Sequence, residues 1–256
     1  MEDGGVEDGG VMSSFKKTAK TLGTIWPALE TGDPEAVHQA RKLTRKAQAE
    51  LRIASAPKRV RRAWRELRRA VAPVRDRDAA GEHLVAALTR LGVPRKEVTA
   101  FQTAWAAGRE RQFSAITLPA QPGSVKRPKR WRARARRVLA RDARALQQEA
   151  LRVLATGDPE PWHDWRKHLK RYRYTLGLIG AAPKALLEVL EHLGRMQDAQ
   201  VVAELLTRET WLPQYREALL NAEAGASRQA QAHIRAGWPA LAEHLQAQTT
   251  PADDLK

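Results

Sequence analysis

The chain of 256 residues contains no cysteine, which excludes disulfide bonds and thiolate metal sites. No run of consecutive apolar residues approaches the length of about 18 that a membrane span needs. Acidic residues are in deficit: 29 Asp and Glu stand against 45 Lys and Arg, for a formal net charge of +16. This excess predicts an anionic partner. No membrane contact is expected, and the predicted location is the cytoplasm.

The two ends of the chain are expected to lie outside the folded part. Residues 1–14, MEDGGVEDGGVMSS, lack the basic start and apolar core of a secretory signal. Their acidic, glycine-rich composition predicts a disordered tail, and residues 249–256 are taken as a tail at the other end.

One stretch of the chain occurs twice. Thr31 to Leu51 reads TGDPEAVHQARKLTRKAQAEL, and Thr156 to Leu176 reads TGDPEPWHDWRKHLKRYRYTL. The copies are offset by 125 residues, and nine of their 21 positions are identical. A repeat of this period predicts a fold built from two related halves.

Each copy carries the signals of a helix start. Asp33 and Asp158 suit the N-cap position, and the proline that follows each of them suits the first helical position. Apolar residues then recur every three or four positions, which predicts a helix with one face in the core. The core positions predicted for the second copy include Trp162, Trp165, Leu169 and Tyr172.

Beside the apolar stripe, each copy presents a basic face. Its histidine and cations recur at helical spacing, and the first copy has no acidic residue between His38 and Ala49. Crowding of like charge destabilises a helix, so a bound anion is the natural explanation, and a solvated charged face is the alternative. The matched positions are His38, Arg41, Lys42, Arg45 and Lys46 in the first copy and His163, Arg166, Lys167, Lys170 and Arg171 in the second.

Two further segments are strongly basic. Lys58 to Arg69 holds seven cations against one acid, and Lys126 to Arg144 holds ten against one. Both carry an apolar stripe, so both are predicted to be helices that line the same cavity, with a solvated surface as the alternative for the second. Arg134, Arg137 and Arg141 fall on one seam of that second helix.

The pattern predicts an all-α fold in two halves, 15–113 and 129–248, joined by a linker at 114–128. Short helices are expected on both sides of Pro73 and of Gly194. The other predicted segments are a leading helix from Phe15 to Leu29, then Arg95 to Gln112, Leu212 to Asn221 and Trp238 to Gln246.

At the two repeats the sequence resembles the CHAD domain (conserved histidine alpha-helical domain) family. The resemblance rests on H-x-x-R-x-x-x-R-K, His38 to Lys46, and on H-x-x-R-x-x-x-K-R-x-R-Y, His163 to Tyr174. It extends to the segments Arg75 to Asp78 and Leu193 to Asp198, and spans about residues 30 to 200.

This resemblance implies two antiparallel four-helix bundles, related by a pseudo-two-fold axis, around a basic central cavity that binds inorganic polyphosphate. A role on polyphosphate granules is a further expectation. The residues expected to contact the polymer are His38, Arg41, Lys42, Arg45, Lys46, Arg61, Arg62, Arg65, Arg69, Arg134, Arg137, Arg141, His163, Arg166, Lys167, Lys170, Arg171, Arg173 and Tyr174.

Catalysis and metal binding are the less favoured interpretations of the histidines. A metal site needs converging ligands, and cations around His38 and His163 would repel a metal ion. Phosphoryl transfer normally uses Mg²⁺ held by acidic residues, and no acidic cluster accompanies the basic faces. No cofactor is expected, and a histidine that accepts phosphate transiently remains an open alternative. Asp78 and Asp198 are expected to act as structural caps or arginine partners.

The main alternative is a nucleic-acid-binding protein, because the net charge of +16 suits that class as well. However, Tyr174 is the one aromatic residue expected on the basic faces, and no motif for reading a groove is present. The histidines add an expected pH dependence: neighbouring cations should keep them neutral in the empty site, and a bound polyanion should favour their protonation.

Overall fold

The computed structural model describes residues 13–208 and 212–249, and those residues form an all-α fold. Four helices lie in each half, which confirms the predicted fold class; the pseudo-two-fold relation stays a prediction. The helices are α1 (Ser13–Glu30), α2 (Pro34–Ile53), α3 (Lys58–Arg90), α4 (Arg95–Ser114), α5 (Trp131–Val153), α6 (Pro159–Leu176), α7 (Lys184–Arg208) and α8 (Arg216–Thr249), with a 3-10 turn at Pro213–Tyr215 before α8.

The repeated start signal works as predicted in α2 and α6. The Asp33 carboxylate accepts a hydrogen bond from the backbone N–H of Ala36 at 2.7 Å, and the Asp158 carboxylate accepts one from Glu160 at 3.1 Å. Each bond satisfies one of the free N–H groups at a helix start, and proline occupies the next position.

Three helices are longer than the sequence predicts, and these boundaries were wrong. α3 continues through Pro73, α7 through Gly194, and α8 through residues 222–237 between its two predicted segments. A proline inside a helix costs about 3 kcal/mol and a glycine about 1 kcal/mol, which tertiary burial can offset. In α3 the buried residues Val71 and Val74 stand on both sides of the proline, so the core stripe holds the two segments in one helix.

Each half has its own hydrophobic cluster, and a third cluster joins the halves. α1, α2 and the first part of α3 pack together in the first half, and α5 to α8 pack together in the second. The end of α3 and α4 then pack against the end of α7 and the start of α8. As a result, α2 contacts α6 and α3 contacts α7 across the middle of the molecule.

The large side chains of the second repeat are buried as predicted. Trp162, Trp165 and Tyr172 expose no more than 2% of their surface. The Trp165 indole N–H donates to the Leu146 carbonyl on α5 at 3.2 Å, so α6 is fixed against α5 with its basic face turned away from that contact.

The helix bounds can be compared with the predicted tails and linker. Residues 1–12 and 250–256 are outside the described residues, while Ser13, Ser14 and Thr249 belong to α1 and α8. The segment 115–130, between α4 and α5, overlaps the predicted linker at 114–128.

A buried carboxylate connects the two halves. Glu223 of α8 is 2% exposed, and its Oε1 lies 3.0 Å from Nε2 of His83 on α3. Arg195 of α7 donates to Oε2 at 2.6 Å. Burial alone would raise the pKa of Glu223, but the hydrogen bonds and charges of His83 and Arg195 outweigh burial and lower the pKa to about 2.

We expect Glu223→Gln to lower the free energy of unfolding by about 3 kcal/mol at pH 7, because the variant leaves Arg195 without its buried counter-charge. Because folding lowers the pKa of Glu223, its ionised carboxylate stabilises the folded protein at pH values above the ordinary pKa near 4.5. This stabilisation is lost as the pH falls toward about 2. The difference between wild type and variant should therefore shrink between pH 5 and about 2.5 in urea titrations.

Glu66→Gln is the matched control, since Glu66 pairs with Arg62 on the exposed surface of α3 at 2.6 Å and should contribute little. A destabilisation by Glu223→Gln that is equal at pH 7 and pH 3 would contradict the role of the ionised carboxylate.

Candidate functional site

The basic faces of the two repeats meet where α2 contacts α6. Burial lowers the pKa of Lys170 on α6 to about 7, and the charges of Arg166, Arg45 and Arg41 contribute to that shift while Asp198 opposes it. Two of these arginines come from the first copy, so cations from both copies share one volume. Burial is the larger cause of the lowered Lys170 pKa, and the repulsion among these cations adds to it.

Arg41 and Arg166 occupy matching positions in the two copies, and both have an unsatisfied donor. In each, the Nε atom is buried and has no hydrogen-bond partner among the described residues. Nη1 of Arg41 donates to the Arg68 carbonyl at 3.3 Å, and Nη2 lies 3.6 Å from Oδ1 of Asp76. Buried donors are nearly always paired in native proteins. Arg77 and Arg109 also have a buried nitrogen without a partner, but the Arg41 and Arg166 donors occupy equivalent positions of the two copies, where one acceptor ligand could satisfy both.

Two arginines of α3, Arg68 and Arg75, also belong to this site. The sequence pattern places Arg68 beside the core stripe of the basic segment Lys58 to Arg69, but neither residue is among the predicted contacts of the polymer. Arg68 donates to Oε1 of Gln48 at 3.2 Å, and burial followed by Arg45 lowers its pKa. Arg75 lies close enough to lower the pKa of Arg41. Arg61, Arg68 and Arg75 are separated by seven residues, nearly two helical turns, and therefore lie on one face of α3. A prediction that α3 continues through Pro73 would have extended this basic stripe to Arg75.

We call the resulting group the central cluster. All of its members are half-buried. They are Arg41 and Arg45 of α2, Arg68 and Arg75 of α3, and Arg166 and Lys170 of α6.

Each repeat histidine faces the helix that follows it in its own half. The His38 pKa is lowered chiefly by burial, then by Arg75 and Lys42, with Glu35 and Glu82 opposing them. This is the direction expected from the sequence, although burial is the larger cause. In the second copy, Nδ1 of His163 is hydrogen-bonded to Oε1 of Gln197 on α7.

The segment Arg75 to Asp78 resembles the family's second marker. Each of its four side chains has a different environment. Arg75 belongs to the central cluster, and Asp76 lies beside Arg41. Arg77 stacks over the Trp105 ring, 4.1 Å from its centroid. Asp78 accepts from Nε of Arg109 on α4 at 2.6 Å, in agreement with its predicted role as an arginine partner.

The remaining predicted residues of the three basic helices lie outside the central cluster. Lys46 and Tyr174 are half-buried, and Arg65 and Arg69 are exposed neighbours of Arg68. Two exposed cations are already paired: Arg62 with Glu66, and Lys167 with Asp164 at 2.6 Å. The other exposed ones are Lys42, Arg61, Arg171 and Arg173.

The predicted α5 residues line a basic cavity beside the end of α2. Arg134, Arg137 and Arg141 surround about 370 Å³ together with Arg52 and Ser55 at the end of α2. Arg52 is held by a two-pronged ion pair with the buried Asp142 carboxylate, whose Oδ1 accepts from Nη2 at 2.6 Å. We call these four arginines the α5 cluster.

The α5 cluster is aligned with the central cluster along one helix face. Arg41, Arg45 and Arg52 are separated by four and seven residues, which places them on the same side of α2. The rise from Arg45 to Arg52 is about 10 Å, two turns of helix.

No group of three or more His, Asp and Glu side chains in residues 13–208 and 212–249 is arranged to hold a metal ion. None of the helices in these ranges has the length and apolar character needed to cross a bilayer.

Comparisons with known proteins agree on the fold. No curated protein matches the chain. PptA from Streptomyces chartreusis has a similar structure, with a TM-score of 0.61 and 16% identity over 90% of this chain and 98% of that one. The crystal structure of the CHAD domain from the plant Ricinus communis is also similar, with a TM-score of 0.51 and 22% identity over 89% of this chain and 87% of that one.

The family model of the CHAD domain matches residues 15–207, which include the two repeat helices α2 and α6 and the whole central cluster. This chain therefore belongs to the CHAD domain family.

Proposed function

We propose that this protein binds inorganic polyphosphate, with the polymer lying on the central cluster. The observation that carries the proposal is the matched pair of buried, unpartnered Nε donors of Arg41 and Arg166. They come from the two copies of one repeat and share a volume with Arg45 and Lys170. A polymer of identical phosphates can offer an acceptor to each of them at once.

The charge balance of the empty site favours this ligand. Three carboxylates act within the central cluster: Asp76 and Asp198, and Glu82, whose Oε1 lies 3.3 Å from Nη1 of Arg75. They are fewer than its six cations. Burying cations without counter-charges is unfavourable, which is why the pKa values of Lys170 and its neighbours are lowered. A bound polyanion supplies the missing negative charge and removes this penalty.

The polymer would continue from the central cluster along α2 to the α5 cluster. The shared face of α2 and the cavity formed with Arg134, Arg137 and Arg141 support this path. Guanidinium groups suit phosphate because their planar N–H donors can bind two oxygens together. Arg45 and Arg52 are separated by about 10 Å along α2, so a ligand that reaches both clusters must be at least that long.

We propose binding and not catalysis, because the carboxylates closest to the cluster are set against cations. Asp76 lies beside Arg41, and Asp198 acts on Arg166 and Lys170. Nucleic acid is the less favoured partner. Trp162, Trp165 and Tyr172 are buried and offer no stacking platform, and the half-buried cations suit a thin, flexible chain better than a duplex.

A cellular role on polyphosphate granules follows from this binding. A protein that holds the polymer should collect where the polymer collects, and a fluorescent fusion that stays diffuse in cells containing granules would contradict that role.

We expect Arg41→Gln/Arg166→Gln to weaken long-chain polyphosphate binding by about 100-fold, since each arginine contributes charged hydrogen bonds. The control Arg90→Gln/Arg95→Gln removes the same charge from exposed positions, and should change affinity less than about threefold in calorimetric titrations. Equal losses in the two double variants would indicate attraction by net charge alone.

Wild-type binding should depend steeply on salt, as expected for any polyanion, and competition should separate polyphosphate from nucleic acid. With six to ten phosphate contacts, affinity should fall by about 10³–10⁵ between about 50 and 200 mM salt. Long-chain polyphosphate should also displace labelled DNA or RNA at a far lower phosphate concentration than the reverse. Displacement at equal concentrations in both directions would support the nucleic-acid alternative.

Affinity should fall as the pH rises from 6 to 9. Lys170, facing Arg166, Arg41 and Arg45 as well as Asp198, has a pKa of about 7 in the empty protein. A polyanion raises that pKa, so binding above pH 7 takes up a proton and weakens with pH, by at least about tenfold between pH 7 and 9. Lys170→Arg, which stays charged, should flatten this part of the profile.

Protonation of His38 should account for the part of the profile between pH 6 and 7. The His38 pKa is held down by burial, Arg75 and Lys42 against Glu35 and Glu82, and a bound polyanion should raise it. His38→Ala/His163→Ala should remove this component. A pH-independent affinity in the wild-type protein, or profiles unchanged in both variants, would contradict the proposed proton coupling.

A further inference from the structure

A second cavity adjoins the central cluster and differs from it in chemistry. It encloses about 520 Å³ between α6, α7 and α8, which is within the range of small-molecule sites. Arg166 and His163 form one side of it. Arg166 is therefore shared with the central cluster, so a ligand in this cavity can place an anionic end against cations that the proposed polyphosphate path also uses.

This cavity does not follow from the repeated fold, because the equivalent position in the first half is filled. Gly32 and Gly157 occupy the same place in the two copies. A Cβ atom added to Gly32 would lie 2.6 Å from the Phe113 ring of α4. At Gly157, which lines the cavity, an added Cβ would meet no heavy atom of the described chain within 4 Å. An aromatic ring thus occupies in one half a space that is open in the other.

Away from Arg166 the cavity wall is neutral. Apolar surface comes from Trp162, Leu193 and Met196, and hydrogen-bonding side chains come from Gln200, Asn221 and Gln231. Glu223 also lines the cavity, but its carboxylate is bound by His83 and Arg195. The matching ligand has an anionic end and a flat, neutral part with donors and acceptors along its edge.

We propose that this cavity binds the nucleoside part of a nucleoside triphosphate whose phosphates lie against Arg166 and the central cluster. Amide side chains such as those of Asn221 and Gln231 pair with the edges of nucleobases, and an apolar wall packs against their faces. The inference rests on the proposed phosphate-binding role of the central cluster and adds a distinct class of ligand to it.

The test compares ATP, inorganic tripolyphosphate and adenosine by calorimetric titration of the wild-type protein at one ionic strength without divalent cations. ATP should bind at least about tenfold more tightly than tripolyphosphate, as expected for one buried base. Tripolyphosphate carries the greater charge, so net charge cannot produce this order. Adenosine alone should bind weakly, because it lacks the group that Arg166 would hold.

Ser227→Phe places a ring in the cavity, as Phe113 does in the first half. We expect ATP to bind this variant no more tightly than tripolyphosphate, with tripolyphosphate affinity changed less than about twofold. Ala222→Phe is the control, since Ala222 is exposed on the same helix and does not line the cavity. Both variants are checked by circular dichroism. If Ser227→Phe does not fold, Gln200→Ala/Asn221→Ala removes hydrogen-bonding groups without adding volume and should reduce the ATP preference.

The outcomes separate this inference from the proposed function. Equal affinities for ATP and tripolyphosphate, or an ATP preference that survives in the folded cavity variants, would overturn the nucleoside site and leave polyphosphate binding intact. Absence of binding by both compounds and by long-chain polyphosphate would overturn both proposals.

Discussion

Repulsion among half-buried cations at the contact between α2 and α6 is the constraint on which this account depends. Hydrophobic packing in the two halves and in the cluster between them holds the two helices together. The basic faces therefore stay close although their charges oppose it. The lowered pKa of Lys170 and the orphaned Nε donors of Arg41 and Arg166 are two consequences of the same arrangement. An anion that binds at this site offsets the repulsion among the cations and therefore stabilises the folded protein.

The sequence was sufficient for the features that depend on local signals. N-cap aspartates, prolines at helix starts and apolar residues at helical spacing act within a few residues, so α2 and α6 and their buried faces could be predicted. The helix breaks at Pro73 and Gly194 were wrong because a local cost of a few kcal/mol competes with burial that depends on distant helices. The sequence does not record that competition.

The site was predicted in part for the same reason. Periodicity places Arg41 and Lys42 on adjacent sides of α2, but only the packing of α3, which contacts Arg41 through the Arg68 carbonyl and Asp76, decides that Arg41 is half-buried and Lys42 exposed. Arg75, beyond Pro73, required knowledge that α3 is continuous, whereas Arg68 lies within the predicted basic segment from Lys58 to Arg69. The cavity beside Arg166 was beyond prediction, because it depends on whether a ring from a distant helix, such as Phe113, fills the space next to a glycine.

The most direct test of the central claim is a crystal structure of the protein with a short polyphosphate of defined length. The account predicts phosphate oxygens within hydrogen-bond distance of the Nε atoms of both Arg41 and Arg166 in the same molecule. Phosphates bound only to exposed arginines such as Arg137 and Arg141, with the contact between α2 and α6 free of anion, would contradict it.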